Sequence, residues 1–94
     1  MEKVAELREK IDRIDEEILL LLKRRNEISK IIGSIKQEHG MLIRDPKRED
    51  EKYNHVLKKA TELGLNPEEI KKIYQIIIAM SVKAQESVYT NRNI

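Results

Sequence analysis

The chain has 94 residues, of which 38% are charged and 39% apolar, and it contains no cysteine. This length indicates one domain over residues 1–94, and the lack of cysteine excludes disulfides and thiolate chemistry. The 19 basic and 17 acidic residues form no basic block, which gives little support to nucleic-acid binding. No apolar run approaches the roughly 18 residues of a membrane span, so we expect a soluble cytoplasmic protein.

The first predicted element is one long helix over residues 2–38, ended by Gly40. Its apolar residues recur at steps of three and four, the spacing of a single helical face. They are Val4, Leu7, Ile11, Ile14, Ile18, Leu21, Ile28, Ile32 and Ile35. Such a helix spans about 54 Å, whereas a compact chain of this size has a radius of gyration of about 12 Å. We therefore expect an intertwined homodimer in which the long helices pack against each other.

Arg25 interrupts this apolar face between Leu21 and Ile28. A cation on a buried face is costly unless a partner compensates it. Lys36 returns to nearly the same face about three turns later, roughly 16 Å along the axis. Two aligned cations favour a site for an anion. Two alternatives stay open: a buried ion pair of Arg25 with Glu27 or another acid, and a Lys36 side chain that snorkels to solvent.

Two shorter helices follow, which makes the predicted fold all-α with one long and two shorter helices. Asp45 and Pro46 are favoured at a helix start and predict a second helix over 46–63, stopped by Gly64. Asn66 and Pro67 repeat that signal and predict a third helix over 67–89, followed by a frayed tail.

Further polar residues lie at helical spacing beside the apolar positions: Arg8 on the first helix, Asp45, Arg48 and Glu49 on the second, and Ser81 and Gln85 on the third. Taken one at a time, each has an ordinary explanation as a helix cap, a solvated pair or surface charge. His39 and His55 have no ligand partners at metal spacing, so we predict no metal site.

Taken together, these residues resemble the all-helical chorismate mutases of the AroQ class. The resemblance covers nearly the whole chain and rests on an ordered series of motifs. They are Leu7-Arg8-Glu9-Lys10-Ile11 with Asp15, then Arg25 and Lys36, Arg44-Asp45-Pro46-Lys47-Arg48-Glu49, and Ser81-Val82-Lys83-Ala84-Gln85. The resemblance implies an isomerase that converts chorismate to prephenate, on the shikimate pathway branch to phenylalanine and tyrosine, without metal or cofactor.

The resemblance also implies a role for each polar residue. Arg25 of one subunit and Arg8 of the other would hold the two carboxylates of the substrate, and Ser81 would help to bind the ring carboxylate. Lys36 would contact a carboxylate and, together with Gln85, donate to the ether oxygen as the carbon–oxygen bond breaks.

At the ring hydroxyl, the resemblance implies binding by Asp45, Arg48 and Glu49, with Glu49 accepting the hydroxyl proton. Lys52 departs from the family, which tends to be apolar at this position, and we expect it to alter the wall of the pocket.

Two other functions are weighed against this one. Isochorismate-pyruvate lyases share the helical fold and a cationic site, although the combination of Glu49 and Gln85 favours the mutase. A non-catalytic helical dimerisation module would need no site at all. It predicts that Arg25 and Lys36 are exposed or internally paired, and that no cavity for an anion exists.

Overall fold

A computed structural model describes residues 2–92, with side chains described up to Tyr89. Three helices follow one another: α1 (Glu2–Glu38), α2 (Pro46–Glu62) and α3 (Pro67–Arg92). The all-α prediction is confirmed for this part of the chain, where no strand occurs. Helix α2 ends one residue earlier than expected, and α3 continues through residues 90–92, which the sequence placed in a frayed tail. The last two residues of that tail lie outside the described range.

Local signals set the starts of α2 and α3. The Asp45 side chain accepts a hydrogen bond from the backbone N–H of Arg48 at 3.1 Å, and Pro46 occupies the first turn. The Asn66 side chain accepts from the backbone N–H groups of Glu68 and Glu69 at 2.9 and 3.2 Å. Both caps satisfy N–H groups that have no partner inside their own helix.

Glycines at positive φ end α1 and α2. Gly40 has φ of 64° and Gly64 has φ of 74°, a left-handed conformation that glycine adopts without a steric penalty. Beyond Gly64, the backbone N–H of Leu65 donates back to the carbonyl of Ala60 at 2.9 Å, as in a Schellman motif. These turns send the chain back on itself twice, so that all three helices can share one site.

Helix α3 is the central element of the fold. It packs against both α1 and α2, whereas α1 and α2 are not in direct backbone proximity. Among the residues whose burial the structure describes, the buried apolar ones lie on α2 and α3: Val56, Ala60, Ile78 and Ala84. Since this core is small, the space enclosed between the three helices remains open for a cavity.

The N-terminal half of α1 is not covered by any other part of the chain that the structure describes. Its large apolar side chains are between 37% and 66% exposed: Val4, Leu7, Ile11, Ile14, Ile18, Leu19, Leu20 and Leu21. The molecule measures 56 × 29 × 15 Å, and its radius of gyration of 16.9 Å exceeds the roughly 12 Å of a compact chain of this length. A single chain therefore presents a long apolar surface to water. Within the described range, no helix has the length and apolar content needed to cross a bilayer.

Helices α1 and α3 approach each other closely at Gly33. A β-carbon built on this residue would lie 2.8 Å from the Cα and 2.9 Å from the carbonyl oxygen of Gln85. Both of these are backbone atoms, which cannot rotate away as the end of a side chain can. The absence of a side chain at Gly33 therefore sets the distance between the two helices at the level of Gln85.

We expect Gly33→Ala to destabilise the protein by about 1–3 kcal/mol, because the extra methyl group must force the two backbones apart. Helix propensity alone predicts the opposite, a gain of up to about 1 kcal/mol. Urea unfolding at matched protein concentration measures the difference, with Ser34→Ala at the neighbouring position as the control. An alanine variant as stable as the parent would show that the helices do not need this close approach.

Candidate active site

A cavity of about 420 Å³, partly open to solvent, lies between the three helices. It is lined by Arg25, Ile28, Ser29, Ile32 and Lys36 of α1, by Ile43, Asp45, Arg48, Glu49 and Lys52 around the start of α2, and by Ile78, Ser81, Val82 and Gln85 of α3. Seven of the eight predicted site residues are in this lining.

Arg25 is half-buried at one end of the cavity. Its Nη1 donates to the backbone carbonyl of Ile77 on α3, at 3.4 Å. The alternative of an ion pair with Glu27 is wrong, because that carboxylate lies 3.9 Å from Lys23 on the exposed side of the helix. Within residues 2–92, no carboxylate neutralises Arg25, so its positive charge is available to a ligand.

Lys36 is also half-buried and faces the cavity rather than solvent. Its Nζ donates to the backbone carbonyl of Ile43 in the loop between α1 and α2, at 2.6 Å. An ammonium group carries three N–H donors, so this bond fixes the position of Lys36 and leaves two donors for another acceptor. In the described chain, Lys36 has no carboxylate partner.

Helix α3 contributes Ser81 and Gln85. The hydroxyl of Ser81 shares a hydrogen bond of 2.5 Å with the hydroxyl of Ser29, and either one can be the donor. Gln85 is only 8% exposed, and its Oε1 is buried without a hydrogen-bond partner among the described residues. A buried amide whose oxygen lacks a hydrogen bond lowers the stability of the fold, and such a group usually has a functional explanation, such as contact with a ligand. Gln85 is therefore a functional candidate on structural grounds as well.

The start of α2 brings Asp45, Arg48 and Glu49 to the cavity. The Glu49 carboxylate accepts two hydrogen bonds from the Arg44 guanidinium, at 3.1 and 2.5 Å. The Glu49 side chain is 19% exposed and that of Arg44 is 66% exposed, so this pair joins the cavity to the surface. The hydrogen bond and the charge of Glu49 raise the pKa of Arg44 above its usual value. The Arg48 guanidinium lies 4.0 Å from the carboxylate of the exposed Glu51, and an exposed ion pair at this distance contributes little to the stability of the fold.

A second contact holds the loop that precedes α2. The Tyr89 hydroxyl, near the end of α3, donates to the backbone carbonyl of Met41 at 3.1 Å. Because Ile43 follows two residues later in the same loop, this bond helps to hold the carbonyl that positions Lys36. Residues far apart in the sequence thus support the cationic end of the cavity.

Arg8 does not line the cavity of its own chain. It is exposed on the N-terminal half of α1, about 25 Å along the helix axis from Arg25. A contribution of Arg8 to this cavity requires a second chain, in line with the predicted dimer.

Sequence reasoning assigned no role to Ser29 and Arg44, both of which contact predicted site residues. Ser29 could have been found, because it lies one turn after Arg25 on the same helical face. Arg44 precedes the helix that carries Glu49, so helical spacing does not predict their contact.

The charges that line the cavity do not balance. Arg25, Lys36, Arg48 and Lys52 are cationic, whereas Asp45 and Glu49 are the only acids in the lining, and Glu49 is already paired with Arg44. Such a site favours a ligand with more than one negative charge.

Comparison with known proteins agrees with this arrangement. The family model "Chorismate mutase type II" matches residues 7–86. A chorismate mutase of Methanocaldococcus jannaschii is 41% identical over 78 residues, which cover 83% of this chain and 79% of the relative. A bifunctional chorismate mutase/prephenate dehydratase of Aquifex aeolicus is 40% identical over 91 residues, which cover 94% of this chain and 25% of the relative.

Among solved structures, a conserved hypothetical protein from Pyrococcus furiosus superimposes with a TM-score of 0.70 at 38% identity, covering 88% of this chain and 95% of that one. The family model and the two sequence relatives thus agree on one family. The chain belongs to the chorismate mutase type II family, a family of all-helical isomerases.

Proposed function

We propose that the cavity between the three helices is the active site in which this chain rearranges chorismate to prephenate. Chorismate mutase activity follows from its family and relatives. The observation that carries the site assignment is the pair of half-buried cations, Arg25 and Lys36, which have no carboxylate partner in the described chain and line one cavity with Gln85. This is the electrostatic complement of a dicarboxylate.

The substrate is a dianion, and its reactive conformer folds the enolpyruvyl arm over the ring. The Arg25 guanidinium binds one carboxylate through two parallel hydrogen bonds. Ser81, whose hydroxyl is already oriented by Ser29, donates to the ring carboxylate. Holding both carboxylates selects the folded conformer and thus lowers the entropic part of the barrier.

The rearrangement breaks one carbon–oxygen bond and forms one carbon–carbon bond within the same molecule. Negative charge develops on the ether oxygen as the first bond breaks. Lys36 and Gln85 approach that oxygen from α1 and α3, and their donors stabilise the transition state more than the substrate. Lys36 can do so while keeping its bond to Ile43, because two of its N–H groups remain available.

The ring hydroxyl binds at the start of α2. Asp45, Arg48 and Glu49 surround this end of the cavity, and Glu49 accepts the hydroxyl proton in a hydrogen bond. The two hydrogen bonds from Arg44 hold the Glu49 carboxylate in one orientation. Glu49 thus acts by positioning the substrate and by its charge, and no proton needs to be transferred.

The active form in this proposal is an intertwined homodimer. Burial of the exposed apolar side chains on the N-terminal half of α1 would favour association of two chains, and Arg8 lies on that same half. In a two-fold dimer, the α1 helix of each chain covers its partner, and Arg8 of the partner subunit completes the cavity next to Arg25. Each site then combines residues of two chains.

The same proposal places the enzyme in the cytoplasm, on the branch to phenylalanine and tyrosine. The bifunctional Aquifex relative supports the pathway, since its name joins chorismate mutase to prephenate dehydratase. The non-catalytic dimerisation module is not favoured, because it requires paired or exposed cations and no cavity. Isochorismate-pyruvate lyase activity stays the second candidate, because those lyases have a cationic site similar to this one.

An absorbance assay with purified protein tests the proposed reaction. We expect chorismate to be consumed and prephenate to accumulate without added metal or cofactor, while isochorismate is turned over far more slowly. A Lys36→Met preparation of equal helicity serves as the control for contaminating mutase. Faster release of pyruvate from isochorismate would favour the lyase, and no turnover of either compound would contradict both enzyme assignments.

A further inference from the structure

Lys52 is a fourth cation in the cavity, beyond the side chains to which the proposed mechanism gives a role. It is half-buried on α2, one turn after Arg48 and two turns after Asp45, which places it on the same helical face. Its side chain forms no hydrogen bond or ion pair with any described residue. Because the residue is half-buried and its charge has no partner among the described residues, contact with an anion in the cavity would compensate that charge.

The nearby acids cannot compensate Lys52. The Glu49 carboxylate lies one turn earlier and is held by the Arg44 guanidinium, while Asp45 caps the helix through the N–H of Arg48. From α3, the cavity-lining residues that face α2 are uncharged: Ile78, Ser81, Val82 and Gln85. No described residue of the cavity lining forms an ion pair with Lys52, so its positive charge remains available to a ligand in the cavity.

Lys52 also lines a second cavity of about 210 Å³ between α2 and α3, together with His55, Lys59 and Tyr74. That space contains no carboxylate and holds another cation, so it offers the Lys52 ammonium no better partner. The Lys52 stem thus forms part of the wall between the two cavities, and its flexible end can reach the larger one.

We propose that Lys52 is a substrate-binding residue which donates a charge-assisted hydrogen bond to a carboxylate of the bound dianion. This inference rests on the proposed function of the cavity. Both carboxylates keep their charge throughout the rearrangement, and prephenate retains them. Because Arg25 and its proposed partners already select the folded conformer, an additional bond from Lys52 stabilises substrate, transition state and product equally, which strengthens binding without accelerating the chemical step.

The test compares Lys52→Met with the parent enzyme in chorismate kinetics and in product inhibition by prephenate. Methionine keeps an unbranched stem of similar length and removes the charge. We expect KM for chorismate to rise about tenfold or more, the inhibition constant of prephenate to rise by the same factor, and kcat to stay within about twofold. Lys52→Arg should restore most of the affinity.

Lys59→Met is the matched control, since it removes one positive charge from the same helix at a residue that lines only the smaller cavity. An equal rise of KM in this control would trace the effect to overall charge and overturn the proposal. Unchanged KM in Lys52→Met would overturn it too, as would a fall of kcat with KM constant. If the parent enzyme itself fails to turn over chorismate, it is the proposed function that is wrong.

Discussion

Replacement of Gln85 by leucine is expected to lower kcat by about 10²–10³-fold, equivalent to roughly 3–4 kcal/mol of barrier. Gln85 is the α3 donor to the ether oxygen in the proposed mechanism, and leucine fills a similar volume without an N–H group. KM should change much less than kcat, because the donor acts mainly on charge that develops in the transition state. Steady-state kinetics with chorismate measures both constants.

The same substitution should leave stability unchanged or increase it. Gln85 is 8% exposed, and its Oε1 has no partner within the described structure, so leucine removes an unsatisfied buried atom. Urea unfolding of the variant checks this opposite effect on fold and activity. Gln75→Leu, at an exposed position of the same helix, is the control and should retain full activity. A Gln85→Leu enzyme with near-parental kcat would remove Gln85 from the mechanism.

Mixing two inactive variants, Arg8→Ala and Arg25→Ala, is expected to restore activity. In a heterodimer of these chains, one cavity combines an intact Arg25 with an intact Arg8 of the partner subunit, while the other cavity lacks both. Random reassociation makes half of the dimers mixed, so about a quarter of the parental activity should return. Each variant alone should lose at least about 10³-fold, since one arm of the dicarboxylate clamp is missing.

The chains must exchange by refolding together, and differently tagged subunits verify that mixed dimers form. A mixture of Arg25→Ala with Lys36→Ala provides the matched control, because both residues belong to the cavity of one chain and neither mixed site is intact. It should stay inactive. Verified heterodimers of Arg8→Ala and Arg25→Ala without activity would contradict the placement of Arg8 across the interface.

The helix limits could be predicted because local chemistry sets them. Asp45 and Asn66 cap α2 and α3 through hydrogen bonds within three residues, and Gly40 and Gly64 supply the left-handed turns. Helix α3 continues beyond its predicted end, because the low helix propensities of Thr90 and Asn91 carry no information on the nearby hydrogen bond from Tyr89 to the Met41 carbonyl.

The candidate site likewise contains some features that the sequence predicts and others that it does not. Arg25 and Lys36 could be found because a cation on an apolar face conflicts with a local pattern. The Ser29–Ser81 hydrogen bond and the approach of Gly33 to Gln85 depend on the register of α1 against α3, which no spacing within one helix encodes. The apolar face of α1 was expected to be buried, yet all nine of its apolar residues are exposed in the single chain. Spacing within one helix indicates which residues form such a face, but it does not indicate what covers it.

The hydrogen bond from Tyr89 to Met41 has a practical consequence for anything joined to this enzyme after α3. Tyr89 lies three residues before Arg92, which ends the helix, and its hydroxyl donates a hydrogen bond to the loop between α1 and α2. The Ile43 carbonyl of the same loop accepts a hydrogen bond from Lys36. A load at that end, from a purification tag, a fused domain or a surface tether, would act on the hydrogen bond between Tyr89 and the loop. Mechanical load at the carboxyl end would thus act on the loop next to Lys36 through the Tyr89 hydroxyl, whereas a tag attached before α1 would act on the helix end that carries Arg8.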